Sequence, residues 1–197
     1  MFAMTIDQRS SRTRADRVPQ LLAALEAVET VLPFERTAGD EVQGLLASAN
    51  GVIEAAELAL RERDWSIGLG LGPIETPLPR SVREARGPAL VRAREAVDAA
   101  KKAAAVRLAV RAGSVAAEAD PEALLRLVGA TVQRRTPAQW RVIDAVRAAG
   151  DRGTAARGLG ITVQAVSKSL LTSGEDVVRD VYPLLARLLD EVNGGTT

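Results

Sequence analysis

Phe2, Met4 and Ile6 alternate with Ala3, Thr5 and Asp7, the period of a half-buried strand, so Asp7 points away from the apolar set. A polar, basic stretch follows. An amphipathic helix is then expected from about Arg14 to Val31, with Leu21, Leu22, Leu25, Val28 and Val31 inside and Pro19 as a possible kink. Phe34 to Ala38 and Glu41 to Leu46 read as a hairpin turning at Gly39-Asp40. Val52, Ile53, Ala56 and Leu60 then mark the inner face of a helix from about Asn50 to Glu62.

Trp65, Ile67, Leu69 and Leu71 alternate with Ser66, Gly68, Gly70 and Gly72, giving a strand with one bulky face and one bare face. Interior glycines weaken a strand and mark close approach of something else, here a ligand or a second subunit. Pro73 to Arg86 is a proline-rich loop, a long helix runs from Pro88 to about Ala104, and Val106, Leu108 and Val110 alternate as a last strand before Gly113 and Ser114. This order predicts an α+β chain: a ferredoxin-like antiparallel sheet over residues 1–114, with helices on one face.

The second half reads as helical. Asp120-Pro121-Glu122 has the form of a helix start, and the broad apolar face of the residues after it suits a connector over 115–134. Thr136-Pro137-Ala138-Gln139 is a capping box that opens a second helix, carrying Trp140, Val142, Ile143 and Val146. Residues 135–197 are expected to form an all-α helix-turn-helix domain with C-terminal packing and dimerisation helices. In the tail, Val177, Val181, Leu184, Leu185, Leu188 and Val192 are apolar on more than one helical face, and Pro183 is expected to open a final helix at Tyr182. Either core packing within the chain or a homodimer would cover such faces.

Thr154 to Leu170 carries the pattern of the helix-turn-helix itself. Two short helices cross steeply only where a small residue lets them approach and a residue tolerant of positive φ turns the chain; Ala156 and Gly160 supply these. Thr162 is placed to cap the second helix, and Val163, Val166 and Leu170 make its buried stripe. If that helix enters a major groove, Thr162, Val163, Gln164, Ser167 and Lys168 are best placed to reach bases or phosphates of double-stranded DNA. The alternative is a pair of ordinary core helices.

Charge changes this picture in detail. The formal net charge is +1, so the chain is no polycation that binds nucleic acid indiscriminately. Locally, Arg134, Arg135, Arg141, Arg147, Arg152, Arg157 and Lys168 outnumber Asp144 and Asp151, whereas the tail after Leu170 is acidic. Only 3% of residues are aromatic and 47% are hydrophobic, so the cores rest on Ala, Val and Leu. The sequence has no cysteine and no histidine, which removes disulfides, typical zinc sites and His-dependent triads. A metal held by such a chain should be a hard one on oxygen ligands, Mg2+ or Mn2+. With no signal peptide and no apolar run long enough to span a bilayer, a cytoplasmic protein is expected.

On the face of the sheet expected to be open, Asp7 and Asp40 could meet beside the basic Ser/Arg loop, a reasonable site for a metal-bound phosphate. Arg12, Arg14 and Arg17 could grip phosphate there or form a solvated helix face. Asp7 with Gly39-Asp40-Glu41-Val42 resembles the palm fold of nucleotide cyclases and diguanylate cyclases, which implies Asp7 and Asp40 as ligands for Mg2+ or Mn2+.

A closer resemblance is to the SatD family. It rests on Asp7 to Arg12 with Asp16 and Arg17, Ala38 to Glu41 running on to Leu46, the Gly-rich strand Ile67 to Gly72, and Gly87 to Ala96 as a GPAL-led helix, followed by a C-terminal helix-turn-helix. The resemblance implies a regulator whose cyclase-like N-terminal domain contacts a nucleotide through Ser10, Ser11 and Arg12. Val91 and Glu95 stand where cyclases of this fold carry the Asn and Arg that bind the transferring phosphates, and Ala38 and Val42 depart from the diguanylate cyclase motif. The expectation is therefore a DNA-binding transcriptional regulator, a homodimer, whose N-terminal domain senses a nucleotide or metal without catalysis. The rivals are a cyclase-type enzyme using Asp7 and Asp40, and a protein-interaction scaffold.

Overall fold

The alternation in β1 (Phe2–Gln8) fixes the two faces of a five-stranded sheet in which β1 is the central strand. The computed structural model describes residues 1–9 and 15–194. The strands β2 (Leu32–Arg36), β3 (Glu41–Leu46), β4 (Trp65–Leu71) and β5 (Leu108–Arg111) flank β1 in the order β2-β3-β1-β4-β5. β1 pairs antiparallel with β3, Met4 opposite Gly44, and with β4, Met4 opposite Leu69; β5 runs parallel to β4. The sheet is thus mixed where a fully antiparallel one was expected. The cause is α3 (Pro88–Lys102), a helical crossover that returns the chain to the same end of the sheet and so delivers a parallel strand.

Eight α-helices accompany the sheet among the described residues. Phe2, Met4, Ile6, Leu69 and Leu71 face α1 (Val18–Leu25) and α2 (Ala49–Arg61), joining Val18, Leu21, Val52 and Ile53 in one core. The opposite face, expected to be open, is covered by α3. A Cβ at Gly68 would lie 2.2 Å from the backbone nitrogen of Val97, and one at Gly70 would lie 2.0 Å from the carbonyl oxygen of Ala89. The bare stripe therefore seats α3, whose Ala89, Ala93, Ala96 and Ala100 are buried, and receives neither a ligand nor a second subunit there. Glycine against alanine brings helix and strand backbones into contact.

Three helices have boundaries that differ from expectation, and the first of them starts at Val18 where about Arg14 was expected. α1 stops at Leu25 instead of Val31, because Val31 donates its N–H to Leu45 O at 2.8 Å and the chain must already be extended there. α4 (Val115–Val132) begins five residues before Asp120 and holds Pro121 inside. Ser114 caps it, and its first turns are tied to β5: Glu118 accepts from Ala112 N–H and Glu122 from Val110 N–H, both at 2.8 Å. These carboxylates satisfy backbone donors at the sheet edge, which would otherwise invite another strand. α8 (Glu175–Gly194) runs without a break across Pro183, so no new helix opens at Tyr182.

Between α4 and α8 lie α5 (Pro137–Ala149), α6 (Arg152–Leu159) and α7 (Val163–Ser173). The capping box at Thr136 and Gln139 is present where the sequence places it. α8 packs on α2 and α4, and one core cluster runs from Phe2 in β1 to Leu189 in α8. None of the described helices is long and apolar enough to cross a membrane.

Candidate functional site

The turn between α6 and α7 depends on Gly160, whose φ of +66° lies in the left-handed region; no atom crowds it, so conformation and not space selects glycine. Thr162 Oγ1 accepts from Ala165 N–H at 3.1 Å and starts α7. Ala155 and Ala156 of α6 are buried together with Val166 and Leu170 of α7, and both helices pack on α5. Val163, expected in the buried stripe, is 45% exposed. Thr162, Val163, Gln164 and Lys168 are exposed and Ser167 half-buried, so the five residues named for DNA contact share the outer side of one helix start.

The basic surplus around this head is thinner in space than in sequence. Arg135 is wholly buried: it lies 3.0 Å from Glu57 and 2.9 Å from Glu175, and its Nε donates to Ser173 O. Arg147 approaches the same two carboxylates at 2.8 Å each. Arg152 pairs with Asp176 at 3.0 Å. Among the described residues, no carboxylate lies within ion-pair distance of Arg134, Arg141, Arg157 or Lys168, which leaves these as the candidate phosphate contacts.

Glu57, Arg135, Arg147 and Glu175 form a charge-balanced network joining α2 beneath the sheet to α5 and to the first residue of α8. Burial alone would raise the Glu57 pKa, but hydrogen bonds and charge from Arg147, helped by Tyr182 and Arg135, hold it below the ordinary value. Burial and the charge of Glu57 raise the Tyr182 phenol. The guanidinium carbons of Arg61 and Arg135 each lie over the Trp140 ring, at 4.6 and 4.8 Å from its centre. None of this network was singled out in the sequence as a site; its partners lie 78 residues or more apart between α2 and Arg135 or Arg147, and no local spacing signals them.

At the far end of β1, the hairpin tip does come to Asp7: Asp40 O accepts from Gln8 N–H at 3.4 Å, and Asp7 stands opposite Glu41 in the ladder. Helix α3 also arrives there. Lys101 Nζ sits 2.9 Å from Asp7 Oδ2, and Arg94 sits 3.1 Å from Glu41. Burial, with the charges of Asp40 and Glu41 adding to it, raises the Asp7 pKa against the hydrogen bond and charge of Lys101. Lys101 is itself raised, because Asp7 and Asp98 outweigh its own partial burial. The described residues contain no cluster of three or more acidic side chains arranged to hold a metal ion. Ser10, Ser11 and Arg12, named as nucleotide contacts, lie outside the described residues, as does Arg14. Arg17 is held by Asp64 at 2.6 Å and by Glu62.

The chain matches no family model, no curated protein and no solved structure.

Proposed function

We propose that the protein is a DNA-binding transcriptional regulator of the SatD type, in which α6, the Gly160 turn and α7 form a helix-turn-helix and the sheet domain is regulatory and noncatalytic. The observation that carries this reading is the outer side of α7. Thr162, Val163, Gln164 and Lys168 are presented to solvent at the start of a capped helix, while Val166 and Leu170 anchor it. Arg134, Arg141 and Arg157 supply candidate phosphate contacts nearby in the chain, and the acidic residues of α8 lie beyond. Few groups are available for base reading, so a single head should bind modestly, and a homodimer would present two.

The order β2-β3-β1-β4, antiparallel throughout, supports a ferredoxin-like, cyclase-like reading of the sheet, with α3 and β5 as an extension. The acid pair does not fit a resident Mg2+ or Mn2+, because the Lys101 ammonium already holds the Asp7 carboxylate. That observation weighs against the cyclase-type alternative, as do Val91 and Glu95 on α3. For regulation, a cleft of about 700 Å3 lined by Asn50, Glu54, Arg179 and Tyr182 opens beside the Glu57 network. A small molecule bound there with different affinity for two arrangements of α2 and α8 would bias the reading head through shared charges.

Enrichment of a random duplex library on the purified chain tests the reading: a convergent sequence motif supports it. Recovery of no motif, with binding unaffected by Gln164→Ala and Lys168→Ala, favours the scaffold alternative.

A further inference from the structure

The sheet face away from α1 and α2 has two covers. α3 lies over β4, β1 and β5, while a short 3-10 helix, Val82–Glu84, lies over β2 and β3. Between them a cleft of about 450 Å3 opens above β3. Gln43 of β3 lines it and is only 6% exposed. Its amide NH2 donates to Thr5 Oγ1 at 2.9 Å, and its carbonyl oxygen, with no partner among the described residues, is left to the cleft. A polar atom presented by so buried a side chain calls for an occupant that satisfies it. Val82 and Leu90 are buried apolar walls, and Val91, 60% exposed, continues them along α3.

Charge divides the cleft into two ends. Arg83 and Arg86 line it from the 3-10 side and Glu95 from α3, and none of the three forms an ion pair among the described residues. The other charges on its rim are matched already, Arg94 by Glu41 at 3.1 Å and Asp98 by Lys101 at 3.4 Å. Glu95 stands about 12 Å along α3 from Gly87, the neighbour of Arg86. Opposite charges therefore face one cleft without reaching each other, and an occupant with an anion at one end and a cation at the other pairs both. We propose that this cleft binds a free amino acid with an apolar side chain. Its carboxylate meets Arg83 and Arg86, its ammonium meets Glu95 and Gln43 Oε1, and its side chain lies on Val82, Leu90 and Val91. A phosphate ester would suit the arginines but be repelled by Glu95. The volume lies toward the lower end for small-molecule pockets, which fits one small zwitterion. The site is separate from the cleft beside Glu57 and does not rest on the DNA reading.

Isothermal titration of the full chain with L-leucine, L-valine and L-methionine tests it. Saturable binding of at least one is expected. Isocaproate, which lacks the amine of leucine, and isoamylamine, which lacks its carboxylate, should each bind roughly tenfold or more weaker than leucine. Arg83→Gln with Arg86→Gln, and separately Glu95→Gln, should weaken amino-acid binding by roughly tenfold or more. The replaced side chains are exposed, so the Tm without ligand should stay that of wild type and a lost signal reports the site, not the fold. No saturable binding of any of the three amino acids, variants that bind as wild type does, analogues that match leucine, or a preference for AMP or inorganic phosphate over all three would each overturn the proposal.

Discussion

Arg135, with its side chain wholly buried, lies 3.0 Å from the Glu57 carboxylate across the junction between the sheet layer and the C-terminal helices. A buried charge left without its partner is costly, while removing a whole network can be nearly neutral. Arg135→Met is therefore expected to lower unfolding free energy by about 3–5 kcal/mol. Glu57→Gln with Arg135→Met should cost clearly less than the two single changes added together, as read by urea denaturation in a double-mutant cycle.

Two carboxylates, Glu57 and Asp7, give opposite pH slopes. Glu57 is depressed in the folded chain, so its contribution is present above its ordinary value of 4.5 and is lost as pH falls through the folded pKa. Asp7 is raised, so its contribution is present below its ordinary value of 3.8 and is lost as pH rises through the folded pKa. Glu57→Gln should flatten the loss of stability on the acid side, and Asp7→Asn should leave that loss in place; denaturation midpoints measured from neutral pH downward check both.

Asp7→Asn is expected to change stability at neutral pH by no more than about 1 kcal/mol, since the Lys101 pair is part-exposed and screened. Mg2+ or Mn2+ should raise the Tm of wild type no more than that of Asp7→Asn. A cation-dependent rise confined to wild type would return the metal to this site.

Small residues beneath α3 should be intolerant. Gly70→Ala places a methyl where the Ala89 carbonyl stands 2.0 Å away, so α3 must shift, at a cost of about 1–3 kcal/mol or more. Gly158→Ala meets nothing within 4 Å inside α6 and should stabilise by roughly 0.5–1 kcal/mol. Thermal denaturation of the two variants separates packing from backbone entropy.

Much of the scaffold is legible in the sequence. The alternation of β1 and β4, the capping box at Thr136 and the turn at Gly160 all depend on neighbours along the chain, and each is found where the pattern puts it. The bare face of β4 announced a close approach but not its occupant; the matching signal was the alanine spacing of α3, read separately. Pro121 and Pro183 suggested helix starts, yet tertiary packing carries both helices through them. The arginines before α7 counted toward a DNA patch because their carboxylate partners come from α2 and α8, which no local spacing shows. At the acid pair, proximity of Asp7 to the hairpin tip was legible, but the arrival of Lys101 from the end of α3 was not.

Whether the outer side of α7 reads DNA decides the functional assignment. Fluorescence anisotropy with a duplex enriched by the wild-type chain, at physiological salt, compares wild type with Gln164→Ala plus Lys168→Ala. Specific binding is expected to weaken by roughly tenfold or more in the variant, at about 1–3 kcal/mol for each base interaction removed, with a shallower salt slope as Lys168 leaves the phosphates. Equal affinity and equal salt slope for the two proteins would refute DNA reading by α7.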